Sequence, residues 1–85
     1  MIVLGDNIIV DIDDGDKVLK VQVGAITNTG IVVAFGNGSW MGYIEEQVGR
    51  PFKNGSRILF SEYSTYEVDG KNVYVVKAEN VVAVL

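Results

Sequence analysis

The side chains best suited to chemistry in this chain are its carboxylates, and the densest group is Asp13-Asp14-Gly15-Asp16. Clustered carboxylates suggest calcium, and an EF-hand loop needs oxygen ligands at fixed positions, with glycine sixth and glutamate twelfth. If the loop starts at Asp11, Asp13 is correctly third, but the sixth position holds Asp16 and the twelfth holds Gln22. A glutamine amide cannot supply a bidentate carboxylate. We therefore reject a calcium loop and predict a solvated turn.

Other groups that support catalysis are missing or poorly placed. The chain has no histidine and no cysteine, which removes the usual proton carriers, thiol nucleophiles and zinc ligands. The neighbours Glu45 and Glu46 would point to opposite faces of a strand and so make a poor acid and base pair. Gly36-Asn37-Gly38 lacks the spacing and the lysine of a phosphate-binding loop. We predict that the protein is not an enzyme and binds no metal or cofactor.

Length and composition limit the number of domains, the classes of partner and the location of the protein. At 85 residues the chain is expected to form one domain, residues 1–85. Its formal net charge is −4 and its seven Lys and Arg residues are scattered, whereas a nucleic-acid binder needs a basic face. No apolar run approaches the roughly 20 residues of a membrane span, and the first residues lack the basic start of a signal peptide. Without cysteines for disulfides, a cytoplasmic protein is expected.

Short apolar runs bounded by glycines and polar turns predict an all-β fold. The central run, Gly30 to Phe35, is rich in residues that fit a half-buried strand, and Gly36-Asn37-Gly38 ends it. Asp69-Gly70 between alternating runs is a strong hairpin signal. The pattern indicates a small barrel or a sandwich without helical segments. The other strands are predicted at Ile8–Ile12, Arg57–Ser61, Ser64–Val68, Asn72–Val76 and Val81–Leu85.

The last predicted strand is apolar throughout and has no polar tail. An exposed apolar strand tends to pair with another chain. We therefore expect Val81–Leu85 to be paired, either inside the barrel or on a neighbouring subunit.

Four stretches, in order over nearly the whole chain, resemble a GroES-type co-chaperonin. Thr29–Gly38 resembles the family's Gly-x-Val-x-Ala-Val-Gly-x-Gly strand, and Asn54–Tyr63 resembles its Val-Gly-Asp-x-Val-Leu-Phe-x-x-Tyr segment. Asn7 replaces the usual arginine, and Ser56 stands where aspartate is usual. The four stretches are Leu4–Val10, Thr29–Gly38, Asn54–Tyr63 and Tyr66–Leu85.

The resemblance implies a small GroES-like β-barrel with a mobile loop and a roof hairpin, the latter at Ser39–Gly49. Residues in that segment could instead pack on the barrel or against neighbours. Counting back from Gly30 places Lys17, Val18 and Leu19 on the family's chaperonin-binding tripeptide, although Lys17 replaces an apolar residue. The same segment could instead form a strand, with Leu19, Val21 and Val23 on one face. Pairing of first and last strands implies a subunit interface at Ile8, Ile9, Val10, Val81, Val82, Ala83 and Val84.

The function implied by the resemblance is that of a co-chaperonin. Its subunits form a homo-oligomer, expected to be a heptamer, that acts as a ring-shaped lid on a GroEL-like chaperonin and assists ATP-dependent protein folding. The chaperonin, not the lid, hydrolyses the ATP. The alternative is a non-catalytic β-barrel binding module of similar fold without a chaperonin partner. The divergent residues would also suit a viral co-chaperonin working in the host cytoplasm.

Overall fold

The structure, a computed structural model, describes residues 1–12 and 28–85, which form six strands and one α-helix. The predicted strands in this part of the chain are confirmed to within about two residues at their ends. Predictions for the acidic turn and for the loop or strand that follows it lie outside the described residues. The elements are β1 Asn7–Ile12, β2 Asn28–Phe35, α1 Ser39–Val48, β3 Arg57–Phe60, β4 Ser64–Val68, β5 Lys71–Lys77 and β6 Val81–Val84.

The prediction that no segment is helical is wrong for α1, and the roof hairpin expected at Ser39–Gly49 is replaced by this helix. Trp40, Ile44 and Val48 recur every fourth residue and lie on one helix face, which is a helical rather than a strand spacing. The helix ends at Gly49, which has a left-handed φ of 77° and donates its N–H to the Glu45 carbonyl at 2.8 Å. Glycine is the usual residue at such a helix end.

All six strands belong to one antiparallel sheet in the order β4-β5-β1-β2-β3-β6. The hairpin predicted at Asp69-Gly70 is confirmed as the β4–β5 connection, with positive φ at both residues. Two positive φ values fit the tight turn that matches strand twist. Because β1 and β2 occupy the middle of the order, the central run identified in the sequence does lie inside the sheet.

The link between β5 and β6 requires the sheet to curl. These strands are four places apart in the order, which is about 19 Å in a flat sheet at about 4.8 Å per strand. Only the 3₁₀ turn Ala78–Asn80 joins them, and from Lys77 to Val81 an extended chain spans at most about 14 Å. The Tyr63 ring also contacts both Phe60 and Tyr74, with centroids 5.9 Å apart in each pair. The sheet therefore curves into the barrel-like wall that the sequence predicts.

The core lies inside this curved sheet and is formed by alternate residues of its strands. Inward-facing side chains come from β1, β2, β3 and β5, and the loop after α1 adds Phe52. The buried Thr29 is hydrogen-bonded by the Arg57 guanidinium at 3.4 Å. One cluster therefore joins the strands with the helix-bearing end of the molecule. The fully or nearly fully buried apolar residues are Ile8, Val10, Val32, Phe52, Ile58, Leu59, Phe60 and Val76.

Helix α1 and the start of the chain are fastened together at one end of the sheet. Trp40 packs edge-on against Phe35 and Phe52, with centroids 6.0 and 5.4 Å away, and its indole Nε1 donates to the Gly5 carbonyl at 2.8 Å. Next to this contact, a Cβ on Gly36 would lie 2.5 Å from the Gly5 carbonyl oxygen. That distance is too short for any side chain, so glycine is required at this crossing of two backbones.

Two glycine-to-alanine substitutions test the packing around Gly36 and the stability of helix α1. Gly36→Ala should lower the free energy of unfolding by about 1–3 kcal/mol, because the clashing atoms are backbone and cannot turn aside. Gly42→Ala should raise it by about 0.5–1 kcal/mol, because Gly42 lies exposed within α1 with no atoms near its missing Cβ. Urea denaturation at equal protein concentration gives both values. Equal stabilities for the two variants would contradict the described packing.

Candidate assembly surfaces

Strand β6 forms one edge of the sheet and has an unused side. Within residues 1–12 and 28–85 it pairs with β3 alone. Val81 and Val84 pack against the core, whereas Val82 is 60% exposed. In the described part of the chain, the backbone N–H and C=O groups of β6 that point away from β3 therefore have no strand partner. Such an edge, carrying apolar side chains, favours pairing with another chain.

An apolar groove runs between α1 and β6. It has a volume of about 310 Å³. A second hollow of about 370 Å³ shares Tyr43, Ile44 and Val81 with it and extends to Trp40 and Glu79. The helix side of the groove is one face of α1, so the groove separates a helix wall from a strand wall. The groove between α1 and β6 is lined by Tyr43, Ile44, Gln47, Val48 and Val81–Val84.

The segment before β1, residues 1–4, is the most exposed apolar stretch in the described part of the chain. Met1 is 81%, Ile2 88% and Leu4 72% exposed. The segment lies over the outer face of the sheet, where Met1 and Leu4 line a hollow with Tyr66 and Val75. Large apolar side chains so exposed indicate a contact surface.

Of the residues expected at the subunit interface, some are buried within their own subunit and others lie on its surface. Ile8 and Val10 are buried in their own subunit's core, and β1 is paired on one side with β2 and on the other with β5. Ile9 faces outward and lines the hollow beneath the chain start. Val82 and Ala83 line the groove beside α1. In this subunit, β1 itself thus has no free edge.

Two parts of these surfaces were not predicted from the sequence. Residues 1–4 were not among the expected interface residues, although four apolar residues in a row before Gly5-Asp6 are a visible signal. The α1 wall was missed because the helix itself was not predicted. Lys17, Val18 and Leu19 lie outside the described residues; in the chain they fall between β1 and β2, which pair at Ile12 and Gly30.

The chemistry available on these surfaces is that of apolar and backbone contact. In the described part of the chain, no three His, Cys, Asp or Glu side chains are grouped as a metal site requires. No helix there has the length and hydrophobicity needed to cross a membrane. The groove is suited to contact with an extended apolar chain, and the segment 1–4 exposes apolar side chains of its own.

Comparison with known proteins shows the family of the chain. A search of curated proteins finds no match to the chain. The family model described as Chaperonin 10 Kd subunit (Cpn10) matches residues 1–85, all 85 residues of the sequence. The resemblance to GroES-type co-chaperonins noted in the sequence is thereby confirmed. The chain belongs to the chaperonin 10 kDa subunit family, a family of co-chaperonins.

Proposed function

We propose that this protein is a co-chaperonin whose copies form a heptameric ring, and that the ring is a lid on a GroEL-like chaperonin during ATP-dependent protein folding. The observation that carries the proposal is the family match over residues 1–85. The subunit uses no cofactor and performs no catalysis; the chaperonin hydrolyses the ATP. The protein works in the cytoplasm and does not bind nucleic acid or membranes.

Two surfaces of the subunit support the ring. The open edge of β6, at Val81–Val84, accepts a strand, and the exposed apolar segment 1–4 supplies one. These are different surfaces of one subunit, so the contact is head-to-tail, and such a contact closes into a ring when the rotation between copies allows it. The expected contribution of β1 then comes from the segment that precedes it and from the outward-facing Ile9.

Contact with the chaperonin is assigned to Lys17, Val18 and Leu19. One short apolar segment alone is held weakly, because binding it costs conformational freedom. Several such segments on one ring bind together through high effective concentration. A small change in each segment is therefore multiplied over the ring.

Substitution on the open edge tests the ring contact. Val82→Lys should shift the ring to folded monomers, because a charge at the strand-to-strand contact would lose its water, while Val82 is 60% exposed in the single subunit. We expect the dissociation constant to rise at least tenfold, measured by analytical ultracentrifugation.

Val68→Lys is the matched control, since Val68 is also a part-exposed valine on an edge strand, β4. It should leave the ring unchanged. Near-ultraviolet circular dichroism confirms that both variants are folded. A Val82→Lys protein that keeps the parent mass at every concentration contradicts the use of this edge.

Truncation of Leu19 tests the chaperonin contact. If Leu19 is buried in the complex, Leu19→Ala removes about 1.5–3 kcal/mol of burial per subunit, which over a ring should abolish capping. The melting temperature of the isolated ring should not change. Capping is measured as ATP-dependent co-sedimentation with a purified chaperonin, and the melting temperature is measured on the isolated ring.

Leu59→Ala is the comparison, because Leu59 is buried in β3. Removing a buried leucine side chain costs about 2–5 kcal/mol, so this variant should melt at a lower temperature. If Leu19→Ala melts early and still caps the chaperonin, Leu19 is a core residue and the assignment is wrong. If the parent ring shows no ATP-dependent co-sedimentation, the binding-module alternative replaces the proposed function.

A further inference from the structure

We propose that Trp40 and Asn7 are positioning residues for assembly, because their side chains fix the direction in which residues 1–4 leave the subunit. This role rests on the proposed function, since segment 1–4 is one of the two surfaces that join copies of the chain in the proposed ring. Through Trp40, helix α1 contributes to assembly from within its own subunit. Both side chains donate hydrogen bonds to backbone carbonyls at the turn that follows the segment.

A tight turn from Leu4 to Asn7 joins segment 1–4 to β1. The Asn7 N–H donates to the Leu4 carbonyl at 3.4 Å, and the Asn7 side-chain Nδ2 donates to the same oxygen at 2.7 Å. Gly5, inside the turn, has a φ of 64°, which glycine adopts without strain. The shorter of the two hydrogen bonds across the turn therefore depends on the asparagine side chain.

The next three carbonyls of the turn are each held by a different part of the subunit. The Gly5 carbonyl accepts a hydrogen bond from the Trp40 indole Nε1 at 2.8 Å. The carbonyl of the next residue accepts from the Ala78 N–H at 2.9 Å, and the one after that accepts from the Gly36 N–H at 3.0 Å. Of these three donors, the one from helix α1 is a side chain, so it can be removed by substitution without changing the backbone.

Trp40 is itself held in place and so provides a fixed donor. Its ring packs edge-on against Phe35 and Phe52, and these two phenylalanine rings pack against each other with centroids 4.9 Å apart. Phe52 is 5% exposed and belongs to the core. The core therefore fixes the indole, and the indole fixes the Gly5 carbonyl.

Residues 1–3 are held much less than the turn. Within residues 1–12 and 28–85, the hydrogen bonds of the segment and its turn begin at Leu4. Met1 and Ile2 are 81% and 88% exposed, so their side chains pack little against their own subunit. The direction of the segment is therefore set at the turn.

A segment whose direction is already fixed binds more tightly than a freely moving one, because it loses less conformational freedom on binding. A closed ring uses one such segment per subunit, so the gain recurs at every contact. Loss of either side-chain donor should leave the fold intact, since both hydrogen bonds lie at the surface and water can replace the donor. It should, however, allow residues 1–4 to move.

Nuclear magnetic resonance relaxation of backbone ¹⁵N tests the order of the segment in the Val82→Lys protein, which we expect to be a folded monomer. Trp40→Phe keeps an aromatic ring but removes the Nε1 donor, and Asn7→Ala removes the Nδ2 donor. In each variant, we expect the order parameters of the Val3 and Leu4 amides to fall from about 0.8 to below about 0.6.

The same substitutions in the parent protein test assembly. We expect Trp40→Phe and Asn7→Ala each to raise the dissociation constant of the ring by at least about fivefold, measured by analytical ultracentrifugation. Asn72→Ala is the matched control for asparagine removal, because Asn72 is exposed on β5, and it should change neither order nor assembly. Val32→Ala leaves a cavity in the core, so it should lower the urea midpoint of the Val82→Lys monomer but leave the dissociation constant of the ring unchanged.

A donor variant with unchanged order parameters overturns the positioning role of that residue. Lost order without a rise in the dissociation constant also overturns it. An equal rise for Val32→Ala does so as well, since general loss of stability would then explain the effect. Native mass spectrometry of the parent protein separates these results from failure of the proposed function, because only monomer there overturns the ring and, with it, the use of the segment in assembly.

Discussion

Three residues between β5 and β6 determine the shape of this subunit. Since Ala78–Asn80 cannot cross a flat sheet of this strand order, the sheet curls and brings Val76 and Val81 to the same core. Two backbone hydrogen bonds stabilise this closure: the Ser61 N–H donates to the Asn80 carbonyl at 3.0 Å, and the Ala78 N–H donates to the Asp6 carbonyl at 2.9 Å. The same link leaves β6 at the edge of the sheet, and one side of β6 is unpaired among residues 1–12 and 28–85. The short link Ala78–Asn80 thus explains both why Val81 packs against the core and why β6 lies at the edge of the sheet.

The surfaces left over by this closure are suited to assembly. An exposed strand edge is usually covered, charged or kept short, since it invites pairing. Here the edge lies beside an apolar helix face, and an apolar segment is exposed elsewhere on the same subunit. Neither surface carries grouped acid, base or metal-binding side chains within the described residues. These features agree with the proposed role of the chain as one subunit of a larger assembly.

The strands could be predicted because their signals are local. Runs of β-branched residues between turns, and Asp69-Gly70 in particular, carry the information in a few neighbouring residues. Helix α1 was missed because ten residues containing Gly42 and several aromatic and β-branched side chains have weak helix propensity, and its stability comes from tertiary contacts such as Trp40 on Phe52. The sequence also could not show that β1 has partners on both sides, since pairing with β5 joins residues far apart in the chain.

Native mass spectrometry over a dilution series tests whether copies of the chain join head-to-tail through two different surfaces. We expect one closed species of seven copies, 7 × 9.2 = 64.4 kDa, in equilibrium with monomer on dilution. A closed contact leaves no unsatisfied surface, so masses beyond the ring should be absent. A monomer alone at micromolar concentration, or an open series of masses without a preferred size, would contradict the claim.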